Sequence, residues 1–261
     1  MATDDQPRTT NDSLVTNDRP LDFTRFSHLT FDCYGTLIDW ETGILNAIKP
    51  LLAAHQRPLS DREILEMYAE LESLAEQAPY MPYRKVLEEV VNGFGQHLGF
   101  TPDEYEECVL EDSLRNWPPF PDTVAALQKL ATRYKLCVIS NVDDDLFAES
   151  EYHLTGGAAS DSNIRFEHVI TAQQCGSYKP SLNNFAVALE RIGVGTSNIL
   201  HVAQSLHHDI APARSIGLTT VWVNRRKGKE GPGATPATSG ITPDLEVATL
   251  QELTDLAIGV G

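Results

Sequence analysis

From residue 123 onward, short runs of strand-forming residues alternate with helical segments, and this alternation restricts the chain to a parallel α/β sheet. The runs are 136–139, 169–170, 199–203 and 220–223. Val124, Leu127 and Leu130 mark one intervening helix, and Phe185, Leu189 and Ile192 another. Further helices are expected over 209–216 and 245–256, and loops over 152–163 and 225–242. One more apolar run, 29–31, stands far upstream. Between it and the rest, residues 42–118 read as helical. Ile64, Tyr68, Leu71 and Leu74 recur at helical spacing behind a Ser60 cap, and Leu87, Val90, Val91, Phe94 and Leu98 do the same. Trp117-Pro118-Pro119-Phe120-Pro121 ends that block. The expectation is a parallel sheet unit, residues 27–41 and 119–261, with helices on both faces. An all-helical cap at 42–118 would stand over the carboxyl ends of the strands, where a lid belongs, and residues 1–26 would be a disordered tail.

Composition narrows the partners. The formal charge of −17 argues against nucleic acid, because an acidic surface repels phosphate. No apolar run approaches the roughly 18 residues of a membrane span. Residues 1–19 are polar and of mixed charge, without the apolar core of a signal peptide or the Arg-rich bias of a transit peptide. A cytoplasmic protein acting on a small molecule is expected; the sequence leaves a homodimer open. Cys33, Cys108, Cys137 and Cys175 form no Cys-x-x-Cys pair, so buried thiols are expected rather than a zinc site. His207 and His208 are adjacent and would point apart on a helix.

Four chemically capable positions fall just past expected strands: Asp32, Ser140-Asn141, Lys179 and Asp209. Ligands of open α/β sheets sit at those strand ends. Asp32, followed by the turn residue Gly35, is a candidate nucleophile or a turn and cap aspartate. Lys179 could hold such a carboxylate ionised, or be a surface lysine before Pro180. Ser140 and Asn141 could donate to substrate oxygens, or Ser140 could cap a helix. Asp209 could orient Lys179 or a water, or cap the helix it starts. All four together, in this order at strand ends, are hard to dismiss as caps.

In that order and spacing the chain resembles the haloacid dehalogenase-like hydrolases, over about residues 27–225. The family pattern is Asp-x-x-x-Thr, a Ser or Thr ending the second strand, a Lys, and an acidic fourth motif. Here these are Asp32 with Thr36, Ser140, Lys179 and Asp209. The resemblance implies a Rossmann-like core, a cap, and an ester or phospho-aspartyl intermediate on Asp32. Phosphatases of the family usually carry an acid two residues after the nucleophile, where this chain has Tyr34. They often write the fourth motif Gly-Asp-Ser-x-x-x-Asp; here Gln204 replaces the first aspartate. The Asp-x-Tyr-Gly-Thr form, Ser140-Asn141 and Lys179-Pro180 resemble instead the L-2-haloacid dehalogenase branch, which needs no cofactor. That branch has Tyr where this chain has Phe185, and Asn where it has Leu206. Its halide-receiving Arg lies in the first cap helix; Arg62 and Arg84 are the candidates here. The resulting expectation is a dehalogenase acting on a small carboxylic acid, with Asp32, Lys179, Ser140 and Asp209 catalytic and Tyr34, Thr36, Asn141, Arg62 and Arg84 at the substrate. The alternatives are a Mg²⁺-dependent phosphatase with the metal at Asp32, Asp209 and Gln204, and a non-catalytic binding protein of the same fold.

Overall fold

Six parallel strands form one sheet in the order β3-β2-β1-β4-β5-β6 in the computed structural model, which describes residues 21–156, 162–229, 231, 233–235, 238 and 240–259. The strands are β1 His28–Phe31, β2 Lys135–Ser140, β3 Phe166–Thr171, β4 Ile199–Ala203, β5 Thr219–Val223 and β6 Leu245–Val247. β1 is central, pairs with both β2 and β4, and is buried along its whole length. A strand covered on both faces has no solvated side, so it reads as a continuous apolar run. The strand order reverses between β1 and its two neighbours. The crevice outside the carboxyl ends at such a point is where α/β sheets hold ligands.

Five helices lie between β1 and β2, and the first four are α1 Trp40–Ala54, α2 Asp61–Glu76, α3 Tyr83–Leu98 and α4 Val109–Leu114. Local chemistry sets their ends. Ser60 and Glu63 close a reciprocal capping box at the start of α2, and Gly99 ends α3 in the left-handed conformation. The rest are α5 Thr123–Leu130, α6 Asp144–Thr155, α7 Ala172–Cys175, α8 Leu182–Ile192, α9 Ala211–Ser215 and α10 Leu250–Ile258. A π-helical turn, Leu206–Ile210, precedes α9. No helix among the described residues is long and apolar enough to cross a membrane.

Several expectations need correction. Residues 21–26 are not a tail: Phe23 and Phe26 are buried in the core. Residues 1–20 lie outside the described residues. The loop expected over 152–163 starts late, because buried Leu154 carries α6 on to Thr155 before Gly156 ends it; residues 157–161 are outside the described set. The segment 245–256 is not one helix. Leu245 to Val247 adds an edge strand to β5, and Thr249 then caps α10 by accepting from the Glu252 amide. Leu74 is 57% exposed, so the inward stripe of α2 does not pass through it. The stripe runs from Ile64 and Tyr68 to Leu71 and Glu72.

After β1 the chain reverses within a few residues. Gly35 sits at φ +88°, a conformation costly for any residue with a Cβ. A Cβ there would also stand 3.0 Å from Trp40 Nε1 and 3.1 Å from Gln204 Oε1. Gly35→Ala is therefore expected to destabilise the fold by about 1–3 kcal/mol, read as a lower midpoint in urea unfolding.

Candidate active site

Asp32 follows β1 directly, and its amide donates to Val202 O of β4 at 3.1 Å. Its carboxylate is held at both oxygens. Lys179 Nζ donates to Oδ1 at 2.8 Å, and Thr36 Oγ1 donates to Oδ2 at 2.7 Å. Thr36 in turn accepts from the Gln204 amide at 2.8 Å. Arg225 fixes the loop from below: it donates to Thr36 O at 2.9 Å and pairs with Asp122 at 2.9 Å.

Lys179 is the buried hub. Its ammonium donates to Asp32 Oδ1, to Asp209 Oδ1 at 2.7 Å and to Ile139 O at 2.9 Å, which uses all three protons. Asn141 holds the adjoining backbone, accepting from the Lys179 amide at 2.7 Å and donating to Lys179 O at 3.1 Å. Asp209 Oδ1 also faces His201 Nε2 at 3.2 Å, while Asp209 Oδ2 and Ser140 Oγ have no hydrogen-bond partner among the described residues. Buried polar atoms are normally paired. These two therefore stand ready for a water or a substrate atom.

The ionisation pattern follows from burial and from Lys179. Burial raises the Asp32 carboxyl above the ordinary carboxylate value, against the pull of Lys179. Burial would raise Asp209 too, but Lys179 and His201 outweigh it and hold Asp209 below the ordinary value. Burial would lower the Lys179 ammonium; Asp209 and Asp32 reverse that and keep it protonated. Burial depresses His208 to about 4, so it is neutral.

These groups line an open cleft of about 40 Å³ between the strand ends and the helices α2 and α3. Of the expected site residues, the structure brings Asp32, Tyr34, Ser140, Asn141, Lys179 and Asp209 to the cleft, with Gln204. Tyr34 forms wall: its hydroxyl bonds Ser150 Oγ at 2.9 Å and its ring meets Trp117 edge-on. Thr36 does not reach the cleft; it is fully buried behind Asp32.

Neither arginine lines the cleft. Arg62 lies in the first turn of α2, 64% exposed at its side chain and paired with Glu66 one turn on. Arg84 is taken by three carboxylates, Glu111, Asp143 and Asp145, that meet α3 at its first turn. Sequence reasoning instead missed two carboxylates, Glu72 and Glu76, which enter the cleft from α2. The available signal was Glu72 four residues after Tyr68, on the buried stripe. It also missed His201, in mid-strand on β4 and edge-on to Phe185.

The donor set suits a magnesium ion poorly. Lys179 already bridges Asp32 and Asp209, and Gln204 Oε1 accepts from Thr235 Oγ1 at 3.1 Å. Among the described residues, three His, Cys or acidic ligands converge only at Glu88, Cys108 and Glu111, outside this cleft. Removing the hub tests its structural weight. Lys179→Met leaves two buried carboxylates facing each other and is expected to cost about 3–5 kcal/mol in denaturant unfolding. Adding Asp209→Asn should recover part of that loss.

The family model of haloacid dehalogenase-like hydrolases matches residues 26–217. An (S)-2-haloacid dehalogenase of Pseudomonas putida is 27% identical over 87% of this chain and 96% of its own length. A glyceraldehyde 3-phosphate phosphatase of Methanocaldococcus jannaschii is 30% identical, over 53% of this chain and 56% of its own length. Among solved structures, the L-2-haloacid dehalogenase of Xanthobacter autotrophicus with chloropropionic acid covalently bound superposes with a TM-score of 0.70 at 20% identity, covering 90% of this chain and all of that one. At that identity the likeness shows the fold alone. With the family model spanning more than half its length, the chain belongs to the haloacid dehalogenase-like hydrolases.

Proposed function

We propose that this hydrolase displaces halide from the α-carbon of a small 2-halogenated carboxylic acid, with Asp32 as the nucleophile and no metal ion. The observation that carries this reading is Gln204, which stands in the cleft where a phosphatase of the family has a metal carboxylate and whose Oε1 accepts from Thr235 Oγ1. Full-length similarity to proteins named (S)-2-haloacid dehalogenase supports it. Tyr34, in place of an acid, supports it as well.

In the first step an Asp32 oxygen attacks carbon, the carbon–halogen bond breaks, and halide leaves with the bonding pair, without needing a proton. Lys179 keeps Asp32 ionised, and Thr36 fixes its orientation. Ser140 Oγ, buried and unpartnered, donates to the substrate, and Asn141 secures the Lys179 backbone. In the second step water attacks the carbonyl carbon of the Asp32 ester. Asp209 Oδ2 takes a proton from that water, and the donor facing the carbonyl oxygen of the ester stabilises the oxyanion that forms. Collapse passes this proton to the departing oxygen, releasing the 2-hydroxy acid, and the remaining water proton goes to solvent as Asp32 returns to its carboxylate. Helices α1–α4 act as the cap that closes the cleft. A cytoplasmic setting fits the four free cysteines and the acidic, small-molecule character of the chain.

Purified protein should release halide from one enantiomer of 2-chloropropionate, undiminished by EDTA. Asp32→Asn should lower turnover by about four orders of magnitude or more. In heavy-oxygen water, repeated turnovers should label the Asp32 carboxyl, because water attacks that carbonyl. Phosphatase turnover lost in EDTA and restored by Mg²⁺, with no halide from either enantiomer, would overturn the reading in favour of phosphoryl transfer. Turnover should also fall on the acid side as Asp32 becomes protonated. That limb should lie above the ordinary carboxylate value, since burial raises Asp32.

A further inference from the structure

The charge balance of the cleft is unexpected for a site that takes an organic acid. Among its described lining residues Lys179 is the one permanent cation, and all its protons are already bonded. Asp32, Asp209, Glu72 and Glu76 are its carboxyl groups. A substrate carboxylate entering this cleft finds no free cation to receive it.

We propose that Glu72 and Glu76 form the specificity-determining wall of the cleft, taking up one proton with the substrate and presenting a carboxylic O–H to the substrate carboxylate. This rests on the reading that the substrate is a small 2-halogenated acid. The proton comes from solvent on binding and returns to it on product release.

The geometry suits the role. The two residues are four apart on α2 and therefore share a face. Tyr68 and Tyr83 hydroxyls both donate to Glu72 Oε1, at 2.9 and 2.6 Å. The second Glu72 oxygen accepts no bond from a described residue. Asn141 Nδ2 donates to Glu76 Oε1 at 3.2 Å, which ties the wall to the strand end beside Ser140. A neutral carboxyl buried in this way is a strong donor to an anion.

Of the groups facing the pair, Lys179 alone supplies opposing charge, and burial outweighs it. From the sheet side these are Asp32 toward Glu72 and Lys179 toward Glu76. Neutral His208 stands 4.0 Å from Glu76 Oε2, with Asp209 beside it in the chain. Tyr178 faces the pair from the loop before Lys179, and Tyr68 and Tyr83 from α2 and α3. Burial accordingly raises Glu72 to about 7, and burial with the nearby Glu72 raises Glu76 well above the ordinary value. An anion held beside the pair raises its proton affinity further. Binding is therefore strongest below the titration of the free pair and weakens as pH rises through it.

Calorimetry with propionate, an unreactive analogue, in buffers of different ionisation enthalpy tests this on the wild-type protein. The expected result is net proton uptake on propionate binding, rising toward one proton per propionate above the titration of the free pair, where Kd weakens about tenfold per pH unit. Replacing both residues, Glu72→Gln with Glu76→Gln, keeps amide donors and removes the titrating carboxyls, so uptake should vanish and Kd should become flat with pH. If that variant does not fold, the wild-type proton count decides alone. Propionate binding without proton uptake and with a flat pH profile overturns the proposal, as does binding of isopropylamine in preference to propionate. Halide release from 2-chloropropionate tests the reaction separately: a protein that takes up a proton with propionate but releases no halide keeps the wall and loses the dehalogenase reading.

Discussion

The Lys179 ammonium joins the ends of three strands: Asp32 after β1, the Ile139 carbonyl on β2, and Asp209 after β4. Taking one cation and two anions out of water is expensive, and one partner cannot be removed without leaving an unpaired charge. The arrangement persists because every ammonium proton has an acceptor and Asp209 has a second donor in His201. The trio still carries an excess negative charge in a buried place. Burial pushes the ionisable groups beside it toward their neutral forms. It holds His208 down to about 4 against the pull of Asp209, and holds Glu72 up to about 7, with Asp32 adding to that rise.

The sheet and its strand-end residues were legible because they obey local rules. Central strands buried on both faces give short, mostly apolar runs, and β4 appears in the sequence at its true limits despite His201 in its middle. Asp32, Ser140, Lys179 and Asp209 stand just beyond such runs, so their convergence follows once the sheet is parallel. Edge structure was less legible. The three residues of β6 are too few to show a period, and their partner, β5, is more than twenty residues away. Thr249, a visible cap, marked the true start of α10.

The substrate side was misread for a different reason. Arg62 and Arg84 attracted attention because the dehalogenase branch that the chain resembles receives halide on an Arg of its first cap helix. A cation on the surface of an acidic protein is captured by whichever carboxylates lie nearest, one turn away for Arg62 and on distant segments for Arg84. Arg84 meets Glu111 of α4 and Asp143 and Asp145 around the start of α6. Nothing in the order of residues announces that meeting. Glu72 was hidden by the opposite habit, since a glutamate amid a helix reads as solvated. Its place on the stripe of Tyr68 was the contrary sign, because a carboxylate on a buried face must find donors or a proton.

The strand-end residues and the two glutamates of the cleft sit on separate elements, and one residue ties those elements together. Asp143, just after β2, accepts from the amides of Tyr83 and Arg84 at 2.9 and 3.1 Å, an anion at the N-terminus of α3. Arg84 closes on the same carboxylate, and Tyr178, next to Lys179, donates to Met81 O at 2.8 Å. The helices that carry the glutamate wall are thus bolted to the loops that carry Ser140 and Lys179. Residues on α2 can change without disturbing Asp32, because the contacts that hold Asp32 all come from the sheet side. Residues at the seam cannot, because moving Asp143 would shift the wall relative to the nucleophile. That division explains why strand-end motifs identify the chemistry while the choice of substrate has to be read from the face of one helix.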